Sequence, residues 1–417
     1  MIQELDSILS QNDIQSEIEE IINKNKENKI KGWKESMDYL YNFSINTGYI
    51  QEERLKLNII LPLFHKHQYD SIGFQVTINC SKPEIIVGQA VGAAHYSNFE
   101  GQCVICFENV GSEKRKGLRA YEFKCNKSIL FRQFPPYPYF NYHNIIIDKK
   151  HTPQILSRDT IIEMLEMSES MPGYKIASNT DRVGTGATNL THRHFQAGDH
   201  DFTVFHAKPL KEFKVITGKT TTVVQWLNYP CCCLKVIGEN KKSIEEVVFK
   251  LFDSWRNGTY ETLDPTLQTC SLMSTLNVKT NCFEFLIFPR NAQQPRFLTS
   301  STLQCIKKEF VGIFELCGFA ILPGRLKEQL LQLDSILLSN DNQLNNQLKE
   351  KLNQIGFIEF FDWLSQYYFN GFDNTKSIYD NLTCALQKSF LTILSDNSPI
   401  SLNQSDLLDS WIKQSKI

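Results

Sequence analysis

The spacing of apolar residues predicts helices at the two ends of the chain. Within residues 1–28, isoleucine and leucine recur at near-helical intervals, which predicts one or two amphipathic helices. The charge-rich run at 23–32, NKNKENKIKG, has no such period and predicts a solvated connector. Toward the other end, NDNQLNNQLKEKLNQ and FFDWLSQYYF indicate a helical C-terminal region.

Between these ends, short apolar stretches alternate with polar breaks, as strands and their connections do. The first half of this block has four predicted strands, at 72–80, 84–88, 144–151 and 174–179. Pro83 marks the break between the first two strands. A helix is predicted over 152–171, where apolar residues recur on one side.

A second alternating block follows from 213 to about 320. Its predicted strands are FKVITG, TTTVVQWL, CCCLKVIG, CFEFLIFP and FVGIFELCGFAIL, with a helix at 243–256. Strands followed by helices in both halves predict an α+β chain built around antiparallel sheet. The helical ends and the two halves predict four regions, at 1–70, 71–212, 213–330 and 331–417.

The segment ATNLTHRHFQAGDHDF places His192, His194 and Gln196 at every second position. In a strand, side chains at i, i+2 and i+4 lie on one face, about 7 Å from neighbour to neighbour. An imidazole is a nucleophile toward phosphorus when one ring nitrogen is free and a hydrogen bond fixes the other. A neighbouring amide can then hold a phosphoryl oxygen. The alternatives are a half-buried polar face and a simple metal site.

A pair of cysteines adds a metal hypothesis to this segment. Cys103 and Cys106 form a C-x-x-C pair, the spacing at which two thiolates can share one zinc ion. His151 and His192 are the candidates for the two remaining ligands. His192 would then hold the metal while His194 does the chemistry. The alternative is that the two thiols belong to the core and hold no metal.

Composition and charge narrow the partners and the compartment. A formal net charge of -2 gives no electrostatic reason to expect nucleic acid or an acidic membrane as a partner. No stretch approaches 18 consecutive apolar residues, so no membrane span is expected, and the acidic first residues lack the apolar core of a signal peptide. The 12 cysteines, most without paired spacing, fit reduced thiols and predict a cytoplasmic protein.

Five stretches in the same order resemble the galactose-1-phosphate uridylyltransferases of the histidine-triad superfamily, and most closely the class II bacterial type. They are CVICFENVG, FPPYPYFNYHNIIIDKKHTPQ, MPGYKIASNTDRVGTGATN, THRHFQAGDHDFTVFHAKP and IKKEFVGIFELCGFAILPGRLK. The likeness runs from about residue 70 to 330. It implies histidine-triad-like antiparallel sheets with flanking helices, arranged as two related halves.

The resemblance also implies a double displacement. His194 would attack the α-phosphorus of UDP-glucose, and galactose 1-phosphate would then accept the uridylyl group. Gln196 would donate to a non-bridging oxygen. Asn141 matches an asparagine that contacts the nucleotide in the family, and Asn179 matches one on the phosphate or sugar side. A nucleotide sugar and a hexose 1-phosphate are therefore the expected partners.

The four candidate ligands match the structural zinc ligands of the class I enzymes. They are Cys103, Cys106, His151 and His192. The resemblance thus implies a structural zinc ion as the cofactor.

Two arginines and one helix are further candidates for phosphate binding and for self-association. Arg119 and Arg325 are candidates for substrate binding because a planar guanidinium suits phosphate oxygens, with a surface salt bridge as the alternative. The three adjacent thiols of CCCLKV cannot share one side of a strand, so packed sheet is expected there. The Asn-rich helix near residue 350 is expected to be solvated, with a homodimer contact as the alternative.

The chain departs from the family in three places. The region before residue 70 is shorter than in class II proteins. QTCSLMSTLNVKTNCFEF stands where those proteins carry a His-Asn-Thr element. Arg193 separates the two motif histidines where an acidic or small residue is usual. These changes affect the expected substrate more than the chemistry of His194.

Three functions remain open on sequence grounds. The first is UMP transfer from UDP-glucose to galactose 1-phosphate. The second is a nucleotide-sugar phosphorylase or hydrolase that uses the same histidine with phosphate or water as the acceptor. The third is a silent, zinc-stabilised protein that senses a nucleotide sugar, against which the presence of both His194 and Gln196 argues.

Overall fold

A computed structural model describes residues 9–69, 72–82, 100–260, 263–293 and 299–417. The predicted strand at 84–88 lies outside the described residues, as does the start of the predicted N-terminal helices. Within the described part, the protein is an α+β chain with antiparallel sheet and flanking helices, as expected.

The described strands are short in the first half of the chain, and most of those in the second half are longer. They are β1 (Ile59–Ile60), β2 (Gln75–Asn79), β3 (Tyr121–Cys125), β4 (Ser128–Gln133), β5 (Asn144–Asp148), β6 (Lys175–Ser178), β7 (His194–Gly198), β8 (Pro209–Thr217), β9 (Thr220–Leu227), β10 (Leu234–Gly238), β11 (Gln268–Leu276), β12 (Phe283–Asn291) and β13 (Phe319–Pro323).

The described α-helices lie mainly at the two ends of the chain, as predicted. They are α1 (Gln11–Lys24), α2 (Lys29–Asn46), α3 (Glu52–Leu55), α4 (Arg158–Ser170), α5 (Lys241–Asn257), α6 (Ser301–Gln304), α7 (Ile313–Leu316), α8 (Arg325–Leu338), α9 (Asn346–Gln354), α10 (Phe360–Trp363), α11 (Ile378–Asp396) and α12 (Ser405–Ser415). No described helix combines the length and the apolar character needed to cross a bilayer.

One ten-stranded sheet contains strands from both predicted halves, while β2 and β13 of these halves pair in a separate small sheet. The strand order of the large sheet is β3-β4-β5-β7-β6-β11-β12-β10-β9-β8, and every pairing in it is antiparallel. Each half has three strands, one helix and two more strands, and its last strand lies between its third and fourth. The halves meet where β6 pairs with β11. This repeated order confirms the expectation of two related halves.

The two faces of this sheet are covered by different elements. On one face, α1, α2, α4, α5 and α12 form an apolar core that includes Phe195 of β7. On the other face lie the small sheet β1-β2-β13 and the C-terminal helices, in a core that includes Ala177, Met273 and Leu286. Because directly paired residues point to the same side, Gln196, which pairs with Ala177, faces this second layer.

The β3 edge of the large sheet is covered by side chains of α1. The amide of Gln11 both donates to the carbonyl of Ala120 (2.7 Å) and accepts from its N–H (3.0 Å). Gln15, one helical turn later, forms the same pair of bonds with Glu122, at 2.9 and 2.8 Å. Two glutamines at i and i+4 therefore satisfy alternate backbone groups of the edge strand.

Two predicted boundaries near the termini of helices were wrong. The connector predicted at 23–32 is much shorter, because α1 continues to Lys24 and α2 begins at Lys29. The Asn28 side chain accepts from the Lys31 N–H and so starts α2 within the charged run. The helix predicted from residue 152 begins only at Arg158, where Ser157 forms a capping box with Thr160.

Two predicted strands also begin later than expected. The stretch FVGIFELCGFAIL contains the short helix α7 before β13 starts at Phe319. In CCCLKVIG, β10 starts only at Leu234, and the three cysteines are buried in the preceding connection. The strand β11 was not predicted at all. Nearly all of its side chains are buried, so it lacks the polar alternation that marks a half-exposed strand.

Candidate active site

The four predicted ligands come together in one cluster. The ligand atoms of Cys103, Cys106, His151 and His192 all lie within 4.8 Å of one another. The two Sγ atoms are 3.6 Å apart, and the Sγ–Nδ1 distances are 3.2 Å for Cys103 with His192 and 3.1 Å for Cys106 with His151. A tetrahedral zinc ion implies edges of about 3.8 Å between sulfurs and about 3.6 Å between sulfur and nitrogen. The cluster could therefore hold a metal ion with small shifts.

The loop that carries the two cysteines is held by a buried asparagine. The Nδ2 group of Asn109 donates to the carbonyls of Glu100 (2.8 Å), Cys103 (3.0 Å) and Cys106 (3.3 Å). The Cys103 N–H points at the Cys106 sulfur at 3.3 Å. Both cysteines are thus fixed by their own turn, and Asn109 was not singled out from the sequence.

Hydrogen bonding also orients His192 toward the sulfurs. Its Nε2 lies 2.7 Å from the Asp148 carbonyl, which can only accept, so Nε2 carries the proton and Nδ1 is free for a ligand. Burial raises the pKa of the Cys106 thiol to about 11. At Cys103, burial is outweighed by hydrogen bonds, led by that of His192, and the pKa falls below its usual value.

His194 opens β7, whereas His192 lies just before the strand. The predicted row of three residues on one strand was therefore wrong at its first member. The Nδ1 atom of His194 lies 2.8 Å from the His192 carbonyl, which requires Nδ1 to donate. No described residue forms a hydrogen bond to Nε2, so its lone pair is free. Burial lowers the pKa of His194 and favours this neutral form.

Two side chains missed by the sequence reasoning support the motif residues. The Gln154 Oε1 accepts from the backbone N–H of His194 at 2.9 Å and joins the start of β7 to the segment before α4. His143, directly before β5, lies 3.2 Å from the Gln196 Oε1 through its Nε2. The position of His143 beside a predicted buried strand was the one sequence signal that could have drawn attention to it.

Arg193 points away from the motif side chains. Its guanidinium forms an ion pair with Glu163 of α4, and its Nη1 lies 3.7 Å from an Asp148 carboxylate oxygen. It also lies over the Phe195 ring, 5.5 Å from the centroid. The unusual cation between the two histidines therefore anchors β7 to a helix on the opposite face.

The two predicted substrate asparagines lie at opposite ends of the neighbouring strands. Asn141 is exposed in the turn before β5, and its carbonyl accepts from the Asp199 N–H (3.0 Å) just after β7. Asn179 follows β6, and its Oδ1 accepts from the Ile313 N–H (2.9 Å) at the start of α7. The side-chain amide of Asn179 thus keeps its donors for another partner.

The two predicted phosphate-binding arginines are engaged by backbone carbonyls. Arg119 donates to the carbonyls of Leu9, Lys116 and Leu118 at 2.7–2.9 Å. Arg325 donates to the Cys305 carbonyl at 2.6 Å. Phosphate binding by either residue stays a prediction, and phosphate would have to displace these contacts.

The second half of the sheet does not repeat the motif. On β12, Leu286 and Phe288 are buried on the face that Gln196 shares, and Glu284 forms an ion pair with Lys235 (2.8 Å). The strand FEFLIFPRN contains no histidine. Among the described residues, the histidine motif therefore occurs only in the first half of the large sheet.

Fold and site together define an antiparallel α+β protein that presents a free imidazole nitrogen beside a Cys₂His₂ cluster. The comparisons then point to particular relatives. The galactose-1-phosphate uridylyltransferase of Pediococcus pentosaceus is 28% identical over 338 residues, which cover 75% of this chain and 66% of that protein. The one of Clostridium acetobutylicum is 28% identical over 397 residues, which cover 90% of this chain and 77% of that protein. The resemblance inferred from the motifs is confirmed.

Two further comparisons concern the domain and the fold. Residues 62–199 match a family model described as a domain of unknown function, DUF4922, and this range includes the whole Cys₂His₂ cluster and the histidine motif. The yeast Ap4A phosphorylase Apa2 in complex with AMP has 13% sequence identity and a TM-score of 0.40, covering 79% of this chain and 94% of that one. At that score the similarity adds nothing to the fold described above.

Proposed function

We propose that the protein is a nucleotidyltransferase that moves UMP from UDP-glucose to galactose 1-phosphate through a uridylyl group on His194. One observation carries the proposal. The His192 carbonyl holds the Nδ1 proton of His194, so that Nε2 presents a lone pair. The names of the curated relatives support the substrates, although this chain spans only 66% of the first of them.

The reaction would take place in two balanced displacements. In the first, Nε2 of His194 forms a bond to the α-phosphorus, the bond to the bridging oxygen breaks, and glucose 1-phosphate leaves with the electron pair. In the second, a phosphate oxygen of galactose 1-phosphate attacks the same phosphorus, the P–N bond breaks, and UDP-galactose leaves. Gln196 would donate its amide N–H to a non-bridging oxygen in both steps. Asn141 and Asn179 would contact the nucleotide and the phosphate or sugar side.

We further propose that the Cys₂His₂ cluster holds zinc in a structural role. Zinc with four protein ligands has no open position for a substrate, so it would supply stability. The backbone links this cluster to His194, because the carbonyl that accepts from Nδ1 of His194 belongs to His192, one of the four proposed ligands. Fixing His192 therefore fixes the acceptor for the Nδ1 proton of His194.

Radiolabelling tests the covalent intermediate. The protein is incubated with UDP-glucose labelled at the α-phosphate, and acid-labile, base-stable label on the chain is measured. The wild type should be labelled and His194→Ala should not. His206→Ala is the matched control, because His206 is exposed and bonded to Asp201, and it should be labelled like the wild type. Equal labelling of His194→Ala would refute the assignment.

The choice of acceptor then distinguishes a transferase from a phosphorylase or a hydrolase. The labelled protein is offered galactose 1-phosphate, inorganic phosphate or buffer alone. Rapid loss of label only with galactose 1-phosphate, with UDP-galactose as the product, supports the proposal. Loss of label with phosphate or water alone would assign the second function. A chain that is never labelled by any nucleotide sugar would favour a silent binding protein.

Three broader proposals concern the setting of the protein. We propose a cytoplasmic location, since every described cysteine is a free thiol. We propose a homodimer, which sedimentation velocity would separate from a monomer. We also propose the division into regions at 1–70, 71–212, 213–330 and 331–417. Because β8 and α8 cross the last two boundaries, limited proteolysis would test these boundaries in the connections that flank the two elements.

A further inference from the structure

His143 has its tautomer fixed by a single backbone group. The N–H of Tyr139 points at Nδ1 of His143 at 3.1 Å. A backbone N–H can only donate, so Nδ1 must accept, and in the neutral ring the proton is on Nε2. That nitrogen lies 3.2 Å from the Oε1 atom of Gln196.

The tautomer of His143 in turn fixes the amide of Gln196. A glutamine amide has one accepting oxygen and one donating NH₂ group, and only the oxygen can meet the Nε2–H of His143. The NH₂ group must therefore point the other way. Gln196 lies at the centre of β7, between Ile145 and Ala177, so its backbone leaves little freedom to compensate for a flipped amide.

Burial and ring contacts fix the orientation of the His143 imidazole. The residue is 3% exposed. Its ring stacks on Tyr139 (4.7 Å between centroids, 15° between planes) and meets the edge of Phe314 (5.2 Å, 83°). Burial lowers the pKa of His143 to about 3, which is consistent with a neutral ring at pH 7.

We propose that His143 is a positioning residue that sets the amide of Gln196 with its donors toward the phosphoryl group, a role that rests on the proposed transfer at His194. His143 touches no reacting atom. It acts through Gln196, whose amide would otherwise be oriented by the phosphate alone. An amide oxygen in that place repels the charge that a donor stabilises.

A double-mutant cycle on the labelling rate tests this role. The four proteins are the wild type, His143→Phe, Gln196→Ala and the double variant, and the maximal rate of labelling by UDP-glucose is measured for each. Phenylalanine keeps the ring contacts with Tyr139 and Phe314 but has no donor. We expect His143→Phe to lower the rate about 10-fold, because one oriented hydrogen bond is lost, with less than about a twofold change in the half-saturating substrate concentration. In the Gln196→Ala background the same change should have almost no effect.

Two further variants separate positioning from a structural role. His143→Gln can place an amide N–H near the position of the imidazole Nε2, and it should recover part of the rate. His200→Phe is the matched control, since His200 is another ring packed against Phe140 in the same aromatic group. It should label at the rate of the wild type. Urea unfolding of each variant verifies that the proteins are folded.

The outcomes distinguish this role from the proposed function. A wild type that is labelled together with an unaffected His143→Phe variant overturns the role of His143 and leaves the transfer intact. Equal losses in the wild-type and Gln196→Ala backgrounds also overturn it, because His143 would then not act through Gln196. A wild type without label overturns both.

Discussion

The ion pair between Arg193 and Glu163 offers a direct test of how the motif strand is anchored. The two side chains are only 15% and 1% exposed, so both charges have left water. Arg193→Met keeps an unbranched side chain of similar length and removes the cation. Breaking a buried pair by removing one partner costs about 3–5 kcal/mol, because the remaining charge is left uncompensated. We expect a loss of that size in the free energy of unfolding at pH 7.

The pH dependence of this loss has a definite sign. Burial already raises the pKa of Glu163, and Arg193 opposes that rise. In the variant the pKa of the folded state should rise further above the unfolded value. A carboxyl group with a raised folded pKa stabilises the fold below its unfolded pKa, and this stability is lost as the pH rises through the folded pKa. The deficit of Arg193→Met should therefore shrink between pH 7 and pH 5.

Urea unfolding at the two pH values measures both effects. Arg193→Met combined with Glu163→Gln should recover part of the loss, because Glu163 then carries no charge, whereas the Asp148 carboxylate still lacks the cation that lies 3.7 Å away in the wild type. Arg158→Met is the matched control. Its ion pairs with Glu245 and Glu246 involve a side chain that is 43% exposed, so about 1 kcal/mol or less is expected. A deficit below about 1 kcal/mol at pH 7, or one that grows at pH 5, would refute the reasoning.

Three further predictions concern the cluster, a loop and the C-terminal region. Cys103→Ser should abolish a stoichiometric zinc content, read by mass spectrometry of the metal, and lower stability by ~4 kcal/mol, while a variant that keeps its zinc would contradict the ligand assignment. Gly186→Ala should destabilise by about 3 kcal/mol, because Gly186 has φ +95° and a Cβ there would meet the Val311 carbonyl. Gly48→Ala, at φ +72° in open space, should lose about 1 kcal/mol, and equal losses would count against the steric explanation. Trp411→Ala should lower stability by about 3–5 kcal/mol, because its buried indole packs on Trp255; a smaller loss in thermal unfolding would show that α12 is dispensable.

Sequence periodicity predicted the elements that have one polar and one apolar face. The C-terminal helices and the strand β9 show this pattern, and they lie where it placed them, whereas β5 and β6 were predicted as short apolar runs. Strand β11 was missed because burial on both faces removes the alternation. The start of α2 was missed because a single capping asparagine, Asn28, decides it within a charged run.

The residue types in the sequence predicted the Cys₂His₂ cluster, but they did not predict the side chains that support His194 and Gln196. Two cysteines at C-x-x-C spacing and two histidines are typical ligands of one metal ion, so the cluster could be predicted from residue spacing and type. The roles of His143 and Gln154 depend on which atoms face each other, and no pattern in the chain records that. Arg119 has the guanidinium that phosphate favours, but its surroundings supply carbonyl oxygens instead.

Gln11 and Gln15 of α1 take the place of a neighbouring strand at the β3 edge of the large sheet. Their amides imitate the alternating donors and acceptors of an adjacent strand, which a helix backbone cannot offer. A chain trimmed beyond Gln15 would end its sheet in unsatisfied N–H and C=O groups. Such an unpaired edge is a template for a strand from another molecule. Proteolytic loss of α1 should therefore make the protein polymerise through its sheet.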